Sequence, residues 1–258
     1  MPAASAVRLL TVARDLRRRK ARERAGRFVA EGIRTAEELL RSGLTIHGAL
    51  ISPPLNATPR GALLRTALEY REVPLQEVSD SELAGASDTD TPQGVLMIAE
   101  IPRRSLANVP SITPQRLLVV DAVQDPGNLG TMLRTARAFG VRASLALPGT
   151  VDLWNAKVVR SAMGAAFHHL AMDCSWEELD VLIAAQNIEL WGADAGGDAL
   201  GSVQPPDRLG IVVGNEGSGL SAEASRRIAR RVGIPIAAGV ESLNVAVAAG
   251  IFLYAVRP

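Results

Sequence analysis

The alternation of short apolar runs with helical segments after residue 115 constrains the fold more than any other feature of the sequence. Residues 117–120 and 209–213 are continuously apolar, as expected for strands that are buried on both faces of a parallel sheet. Residues 131–139 predict a helix that ends at Gly140. Further strands are predicted over 143–147, 190–193 and 231–235. This half of the chain therefore predicts an α/β fold whose parallel sheet is covered by helices on both faces.

The last predicted helix, over residues 243–256, is apolar on every side. A helix of this kind is buried, and we expect it to pack against the sheet or against a partner subunit. It is too short to span a bilayer, so the sequence predicts no membrane association.

The first hundred residues also alternate helical and strand patterns. Helices are predicted over residues 8–20, 33–40 and 61–70, and strands over 46–51 and 95–99. The three prolines within residues 101–114 are typical of a linker, because proline fixes φ and removes a donor. We therefore predict a small α/β domain over residues 1–105, a linker over 106–114 and a second domain over 115–258.

Composition narrows the chemistry and the compartment. Of 258 residues, 47% are hydrophobic and 21% are charged, which is the balance of a globular protein with a sizeable core. The single cysteine, Cys174, allows no intramolecular disulfide and no cysteine-based zinc site. The histidines His47, His168 and His169 lack the spacing of a metal-binding motif. We therefore expect a cytoplasmic protein with no bound metal.

The net charge of +1 hides a basic segment at the N-terminus. Residues 1–34 hold ten basic and three acidic side chains, whereas the rest of the chain holds eighteen basic and 24 acidic ones. Such a segment is a candidate contact for a polyanion, although a solvated helix face and a transit peptide are alternatives. The acidic residues within it argue against a transit peptide. The candidate RNA-binding residues are Arg17, Arg18, Arg19, Lys20, Arg22, Arg24 and Arg27.

Three loops that follow predicted strands carry the candidate chemistry. They are residues 121–130 with Arg134 beyond them, residues 213–220, and residues 234–244. Each loop alone could be an ordinary turn or helix cap. Together they combine glycine or proline with polar side chains at one edge of the sheet, where ligands of open α/β folds bind. The first loop lacks the G-x-G-x-x-G of a dinucleotide site, which disfavours a nucleotide-dependent oxidoreductase, and no G-K-[ST] of a P-loop occurs.

The motifs in these loops resemble those of the SpoU (TrmH) branch of the SPOUT RNA 2′-O-methyltransferases. The motifs D-x-x-x-D-P-x-N-x-G-x-x-x-R, G-N-E-G-x-G and I-P-I followed by E-S-L-N-V occur in that order within residues 115–258. Residues 22–32 resemble, more diffusely, the substrate-binding domain that is often fused to this branch.

The resemblance implies a deep trefoil knot in the C-terminal parallel-sheet domain, an obligate homodimer with each site near the subunit interface, and S-adenosyl-L-methionine as cofactor. It implies that Gly214, Ile234 and Leu243 contact the cofactor. It also implies an active-site polar set that consists of Asn128, Arg134, Glu216, Ser242 and Asn244.

Methyl transfer to a ribose hydroxyl requires alignment and stabilisation of the oxygen as its proton leaves. A guanidinium stays protonated, so we interpret Arg134 as an electrostatic clamp on the oxyanion or on a phosphate, and the proton acceptor stays open. Glu216 could orient Arg134 or other groups, interact with the cationic cofactor, or brace its loop. Asn128, Ser242 and Asn244 would orient the nucleotide and Arg134.

The sequence favours a ribose 2′-O-methyltransferase that acts on 23S ribosomal RNA. Nine aromatic residues in the whole chain make base stacking an improbable basis for RNA binding, whereas arginines suit phosphate contacts. The choice of ribosomal RNA rests on analogy with relatives that carry a folded N-terminal domain. A tRNA methyltransferase and a non-catalytic RNA-binding protein on the same scaffold are the alternatives.

Overall fold

The computed structural model describes residues 3–257, with side chains from residue 9 onward, so the side chain of Arg8 lies outside the described part. The helices are α1 (Ala3–Asp15), α2 (Arg19–Ala25), α3 (Ile33–Arg41), α4 (Pro59–Tyr70), α5 (Asp80–Ala86), α6 (Pro126–Ala138), α7 (Ala156–Ser161), α8 (Ala165–His168), α9 (Trp176–Gln186), α10 (Ala222–Arg227) and α11 (Val245–Ala255). The strands are β1 (Arg27–Glu31), β2 (Ile46–Ile51), β3 (Leu75–Glu77), β4 (Val95–Glu100), β5 (Gln115–Val120), β6 (Ala143–Ala146), β7 (Ala171–Asp173), β8 (Glu189–Ala199), β9 (Arg208–Val213) and β10 (Arg230–Gly233).

The chain divides into two compact units. The first runs to Arg103 and also includes Trp154–His168, and the second comprises Arg104–Leu153 and the residues from His169 onward. The first unit is therefore discontinuous in sequence, because α7 and α8 belong to it. The assignment of residues 1–105 and 115–258 to two domains joined by a linker stays a prediction.

The first unit is built on a four-stranded sheet with the order β1-β4-β2-β3. Strand β4 pairs antiparallel with both β1 and β2, and β2 pairs parallel with β3. On one face, Leu96 and Ile98 of β4 pack with Leu10, Ala13 and other buried residues of α1 and α5. The alternation of side chains along β4 sends its remaining apolar residues to the opposite face, so both faces of this strand are buried.

An arginine ends the first helix. The sequence predicts one helix over residues 8–20, whereas α1 ends at Asp15 and α2 begins at Arg19. The guanidinium of Arg22, which is buried, donates from Nη1 to the carbonyls of Leu16 at 2.7 Å and Arg17 at 2.8 Å. These carbonyls at the C-terminus of α1 therefore have a tertiary partner, which no local stop signal in the sequence announces.

The second unit is built on a six-stranded sheet with the order β10-β8-β9-β5-β6-β7. Every pairing in it is parallel, and β5 is buried along its whole length. The predicted α/β fold with a parallel sheet is confirmed, whereas the trefoil knot stays a prediction.

Helix α11 is buried on one side only. Ala249, Phe252 and Leu253 are buried, but Val247 and Tyr254 are more than half exposed and Ile251 is also exposed. The expected burial of this apolar segment therefore holds for one face in the single chain. No helix among residues 3–257 combines the length and the apolar character that a membrane crossing requires.

Phe28 anchors the face of the first sheet opposite α1, and it provides a test of that core. Its side chain is fully buried, with its ring 4.6 Å from the Trp154 ring and 5.7 Å from the Phe167 ring between centroids. We expect Phe28→Ala to lower the free energy of unfolding by about 3–5 kcal/mol, because it leaves a cavity between these rings. Urea denaturation measures the change. The control Leu63→Ala removes a side chain that is 72% exposed and should shift stability by about 0.5 kcal/mol or less. Equal stability of both variants would contradict this account.

Candidate active site

The three motif loops lie at one edge of the second sheet. The first follows β5, the second follows β9 and the third follows β10, and these strands are parallel members of the same sheet. Their carboxyl ends therefore meet at one edge, as the sequence predicts. Helix α6 begins at Pro126 rather than at residue 131, so the second half of the first motif, which includes Asn128, forms the start of that helix. Residues 121–125 and most of the other two loops are irregular, so their conformations depend on side-chain hydrogen bonds rather than on strand pairing.

The Glu216 carboxylate joins the second loop to the first. It accepts hydrogen bonds from the backbone amides of Gln124 at 3.2 Å and Asp125 at 3.1 Å, and from Asn128 Nδ2 at 3.0 Å. Of the roles that the sequence leaves open for Glu216, the structure shows one, which is that Glu216 braces the loops.

Asn128 connects Glu216 to the third loop. Its Oδ1 accepts a hydrogen bond of 3.0 Å from Asn244 Nδ2. Asn244 is also the N-cap of α11, because its Oδ1 accepts from the amides of Ala246 at 2.9 Å and Val247 at 3.2 Å. The side chains of Glu216, Asn128 and Asn244 thus form one hydrogen-bonded chain, which we call the loop-locking triad, through all three motifs.

Two further residues stiffen the loops, and neither is among the site residues predicted from the sequence. The buried carboxylate of Asp121 accepts from the amide of Ser221 at 2.7 Å. Asn215 donates to the Ala122 carbonyl at 2.8 Å and accepts from the Gly217 amide at 2.9 Å. Asp121 directly follows the buried strand β5, and Asn215 is the second residue after the buried strand β9. A polar residue just after a buried strand is the signal that could have revealed both.

A cavity of about 460 Å³ opens beside the triad. All three residues that the resemblance assigns to the cofactor line it, namely Gly214, Ile234 and Leu243, and so do Glu216, Ser242 and Asn244. Its size is that of a typical small-molecule site. Leu243 precedes α11 rather than starting it, since that helix begins at Val245.

The wall of the cavity includes residues that the sequence analysis missed. Ala193, Asp194 and Ala195 belong to β8, which runs to Ala199 rather than ending near residue 193. The pairing of β8 with β10 shifts register between Arg231 and Val232, so residues 193–197 bulge out of the ladder. Strand propensity does not encode this bulge, although Gly196 and Gly197 hint at an irregularity.

Gly214 is a position where only glycine fits. A Cβ atom there would lie 2.3 Å from the carbonyl carbon of Gly219 and 2.5 Å from the amide nitrogen of Leu220. The two backbone segments approach so closely because Asn215 and Gly219 pair through both of their amides, each at 2.9 Å. The glycines of the second motif therefore create the narrow turn that bounds the cavity.

Two carboxylates, Glu216 and Asp194, line the cavity, and one of them is ion-paired. Burial raises the pKa of Glu216, but the hydrogen bonds from Asn128 and from the backbone amides outweigh it and leave the pKa below the usual value. The hydrogen bond from the Gly196 amide and the ion pair with Arg231 lower the pKa of Asp194. Both groups are therefore anionic at neutral pH, but Arg231 compensates the charge of Asp194, so Glu216 supplies the negative charge that suits a cationic ligand.

The structure does not bring every predicted site residue to this cavity. Arg134 lies on the exposed side of α6, outside the cavity lining, and has no hydrogen-bond or ion-pair partner among the described residues. Asn128 also lies outside the lining but contacts it through Asn244. Among residues 9–257 no group of three side chains has the arrangement of a metal site.

The basic segment divides into paired, buried and free side chains. Arg18 pairs with Asp15 at 2.5 Å and Arg19 with Glu23 at 2.7 Å, both on the surface. Arg17 donates to the Gly85 carbonyl at 3.3 Å. The guanidinium of the buried Arg22 is committed to the carbonyls that follow α1, so the structure does not present it to a phosphate.

Comparisons with known proteins identify the family. Residues 115–254 match the family model described as the SpoU rRNA Methylase family, and residues 11–97 match the MRM3-like substrate binding domain. The chain is 31% identical over 245 residues to the 23S rRNA (guanosine(2553)-2′-O)-methyltransferase RlmP of Bacillus subtilis, with 95% of this chain and 94% of that protein covered.

Solved structures agree with this assignment. An rRNA methyltransferase from Sinorhizobium meliloti with bound AdoMet superposes with a TM-score of 0.83 at 26% identity, and the match covers 96% of this chain and 93% of that one. The fold is also that of the SpoU methyltransferase AviRb from Streptomyces viridochromogenes, with a TM-score of 0.85 at 24% identity over 96% of both chains. The chain belongs to the SpoU rRNA methylase family. The predicted family, the class of RNA 2′-O-methyltransferase and the cofactor S-adenosyl-L-methionine are confirmed.

The pKa of Glu216 leads to a test of the loop-locking triad. A carboxylate with a lowered pKa stabilises the folded state above its unfolded value of about 4.5, and this contribution is lost as the pH falls through the folded value. We expect Glu216→Gln to lower the free energy of unfolding at pH 7 by about 1 kcal/mol, a value reduced for solvent exposure. The difference from wild type should shrink below about pH 4.5. Chemical denaturation at several pH values measures it.

The control for this test is Glu241→Gln. Glu241 is an exposed carboxylate of the third loop that has no hydrogen-bond partner among the described residues. Its substitution removes the same charge but should leave stability unchanged at every pH. Equal pH profiles for the two variants would show that Glu216 does not brace the loops.

Proposed function

We propose that this chain methylates a ribose 2′-hydroxyl of 23S ribosomal RNA with S-adenosyl-L-methionine as donor. The observation that carries the proposal is the loop-locking triad, which fixes three motif loops around one cavity. The name of the Bacillus relative, which aligns along nearly the whole chain, supports the choice of 23S rRNA. Incubation with methyl-labelled cofactor and either 23S rRNA or tRNA, followed by mapping of ribose methylation, tests it. Label in tRNA alone would overturn the choice of substrate.

The cavity suits the cofactor chemically. Its apolar side chains, Ile234, Leu243 and Phe252, suit an adenine ring, and the anionic Glu216, which has no ion-pair partner among the described residues, suits a sulfonium. We propose that Gly214, Ile234 and Leu243 hold the cofactor, which supplies an electrophilic methyl group. Ser242 and Asn244 line the cavity beside Leu243 and would orient the acceptor ribose.

Arg134 would act in the site of a second copy of the chain. It carries a free cation on the exposed side of α6, and the cavity of its own chain does not include it. In the proposed homodimer this guanidinium clamps the oxyanion or an adjacent phosphate of the acceptor, as a protonated group can.

The proposed dimer surface comprises α6 and α11. The exposed residues Val247, Ile251 and Tyr254 lie along one side of α11, at spacings of four and three. Tyr254 packs against Phe139, which follows α6, with 5.7 Å between ring centroids. Apolar side chains at this spacing form a face that a second helix can cover, which supports a homodimer through these helices.

Phosphate contacts by the first unit would hold the RNA. Of the candidate cations, Lys20 and Arg24 are exposed without a partner among the described residues, so they are free to contact phosphates. We propose that they act together with Arg27, Arg17, Arg18 and Arg19, of which the last two would exchange ion pairs for phosphates. The cytoplasmic location and the absence of a metal cofactor stay predictions.

Arg134→Ala should reduce the methylation rate by roughly 10²–10³-fold, because it removes one group that stabilises transition-state charge. Cofactor affinity, measured by calorimetry, should not change. The dimer hypothesis adds a sharper test in which Arg134→Ala is mixed with Leu243→Asp, a variant without a cofactor site, once sedimentation has shown that the two variants form mixed dimers. Random mixing should restore roughly a quarter of wild-type activity if Arg134 acts across the interface, since half of the dimers are mixed and each has one complete site. No restoration would assign Arg134 to its own chain.

Ile251→Asp should dissociate the dimer, because an unpaired charge is costly to bury in an apolar interface. The expected result by analytical ultracentrifugation is a monomer that methylates RNA slowly or not at all. Val181→Asp is the matched control, since Val181 is 70% exposed on α9 and lies outside the proposed surface. A wild-type sedimentation coefficient for Ile251→Asp would remove α11 from the interface.

A further inference from the structure

The first unit contains a second cavity, of about 440 Å³, which the proposed methyl-transfer site does not use. It is bounded by residues at the end of β1, the start of α3, the start of α4, the loop before β4, and α7 with the residue Met163 beyond it. Three arginines, Arg34, Arg60 and Arg160, line it together. They come from three separate elements, so neither one helix face nor one run of charges in the sequence explains their convergence.

Arg34 is placed against its electrostatic preference. It lies in the first turn of α3, where the helix dipole favours an acidic side chain and disfavours a cation. It is exposed and has no hydrogen bond or ion pair with any described residue. A fixed positive charge at the positive end of a helix costs stability unless an anion binds there.

The carboxylates near the cavity do not cancel its charge. The buried Glu31 accepts hydrogen bonds from Ser87 Oγ and from the Asp88 amide at 3.1 Å, and it lies 3.5 Å from Arg160 Nη1. Glu37 forms a two-point ion pair with Arg60, at 2.8 Å and 2.5 Å. The charges of Arg34 and Arg41 also act on Glu37, but both of its oxygens are committed to Arg60, so the three arginines that line the cavity carry one charge more than these two carboxylates.

Arg160 retains capacity for a further partner. Its Nη1 is buried and makes no hydrogen bond to any described residue, although it contributes to the ion pair with Glu31. A buried donor without an acceptor costs free energy, and the Arg160 side chain is still 33% exposed and lines the cavity, where an incoming oxygen atom can reach the guanidinium. The hydroxyls of Thr89 and Thr91 line the same cavity and can donate to an anion or to a sugar hydroxyl.

We propose that this cavity binds a phosphate and its attached ribose within the RNA substrate. The inference rests on the proposed function, because it assigns an RNA contact to the same protein. Guanidinium groups and hydroxyls are the donors that proteins use for phosphates, and the volume exceeds what a phosphate alone requires. Arg34 makes the direct phosphate contact, and Arg160 supports it from the inner wall.

The test compares Arg34→Gln with Arg41→Gln in filter-binding salt titrations on an rRNA fragment. Both arginines belong to α3, but Arg41 is in its last turn, pairs with Glu38 on the surface and does not line the cavity. The two variants therefore carry the same net charge on the same helix. We expect Arg34→Gln to weaken RNA binding about tenfold, as expected for one hydrogen bond to a charged group, and to reduce the slope of log affinity against log salt by about 0.7–0.9. Arg41→Gln should leave both values close to wild type.

Two further measurements separate this proposal from the methyl-transfer function. At saturating RNA, Arg34→Gln should keep the wild-type kcat while KM for RNA rises, and calorimetry should show unchanged cofactor affinity. If the wild-type protein methylates no RNA, the proposed function fails, yet the binding titration still tests the cavity. Equal affinities and slopes for Arg34→Gln and Arg41→Gln would overturn the cavity proposal while leaving methyl transfer intact.

A free nucleotide could accept hydrogen bonds from the same donors. A competition experiment tests whether the bound phosphate belongs to RNA or to a free nucleotide. Guanosine monophosphate is added as a competitor to the filter-binding assay at concentrations up to the millimolar range. Because an RNA chain makes many contacts and a monophosphate few, we expect no displacement of RNA from wild-type protein. Calorimetric binding of the monophosphate that Arg34→Gln abolishes, with RNA affinity unchanged, would show a nucleotide site instead and overturn the proposal.

Discussion

The active-site half of this protein depends on one carboxylate, that of Glu216, which accepts hydrogen bonds from backbone amides as well as lining the cavity. Parallel strands fix where the three motif loops begin, but strand pairing ends at the sheet edge and leaves the loop amides without partners. Glu216 supplies acceptors to two of these amides and to Asn128, which in turn accepts from Asn244. Because Asn244 also caps α11, the start of that helix is tied to the loop after β5, although β8 and β9 separate β5 from β10 in the sheet. A ligand cavity bounded by irregular backbone can keep its shape only through such links.

The same residues show why spacing alone does not assign roles. Glu216 and Asn128 have the residue types of general bases and substrate ligands, but their polar atoms are largely committed to each other and to the backbone. Arg134 has the opposite character, since its guanidinium has no partner in the described chain. Because this guanidinium also lies outside the cavity of its own chain, it can act only on a site that another molecule supplies. The apolar side of α11 beside α6 offers a physical route to that encounter.

The sequence predicts five of the six strands in the second sheet, because most of them are buried and carry an apolar signal, but it misses the three-residue edge strand β7. Residues 46–51 in the first unit are predicted with the bounds that β2 has. The break between α1 and α2 is not predictable, since it depends on Arg22 reaching back to two carbonyls through a tertiary contact. The bulge in β8 is likewise set by its neighbour, because a Cβ on Gly197 would lie 2.4 Å from the backbone of Arg231. The motif loops are recognisable from glycine, asparagine and acidic residues, whereas the bulge in the cavity wall is not.

Charge composition likewise does not predict which cations can bind a ligand, and the arginines of the first unit show why. The basic segment draws attention because its cations are close in sequence, yet Arg22 is buried, Arg18 pairs with Asp15 at the end of α1, and Arg19 pairs with Glu23 one turn further along α2. Arg34 and Arg160 are 126 positions apart in the sequence, and only the fold places them around one cavity. The binding capacity of a cation depends on whether its charge is already satisfied, and that is a property of three-dimensional neighbours. For a polyanionic ligand, an unpaired arginine at a helix N-terminus therefore carries more information than a run of arginines that are already paired or buried.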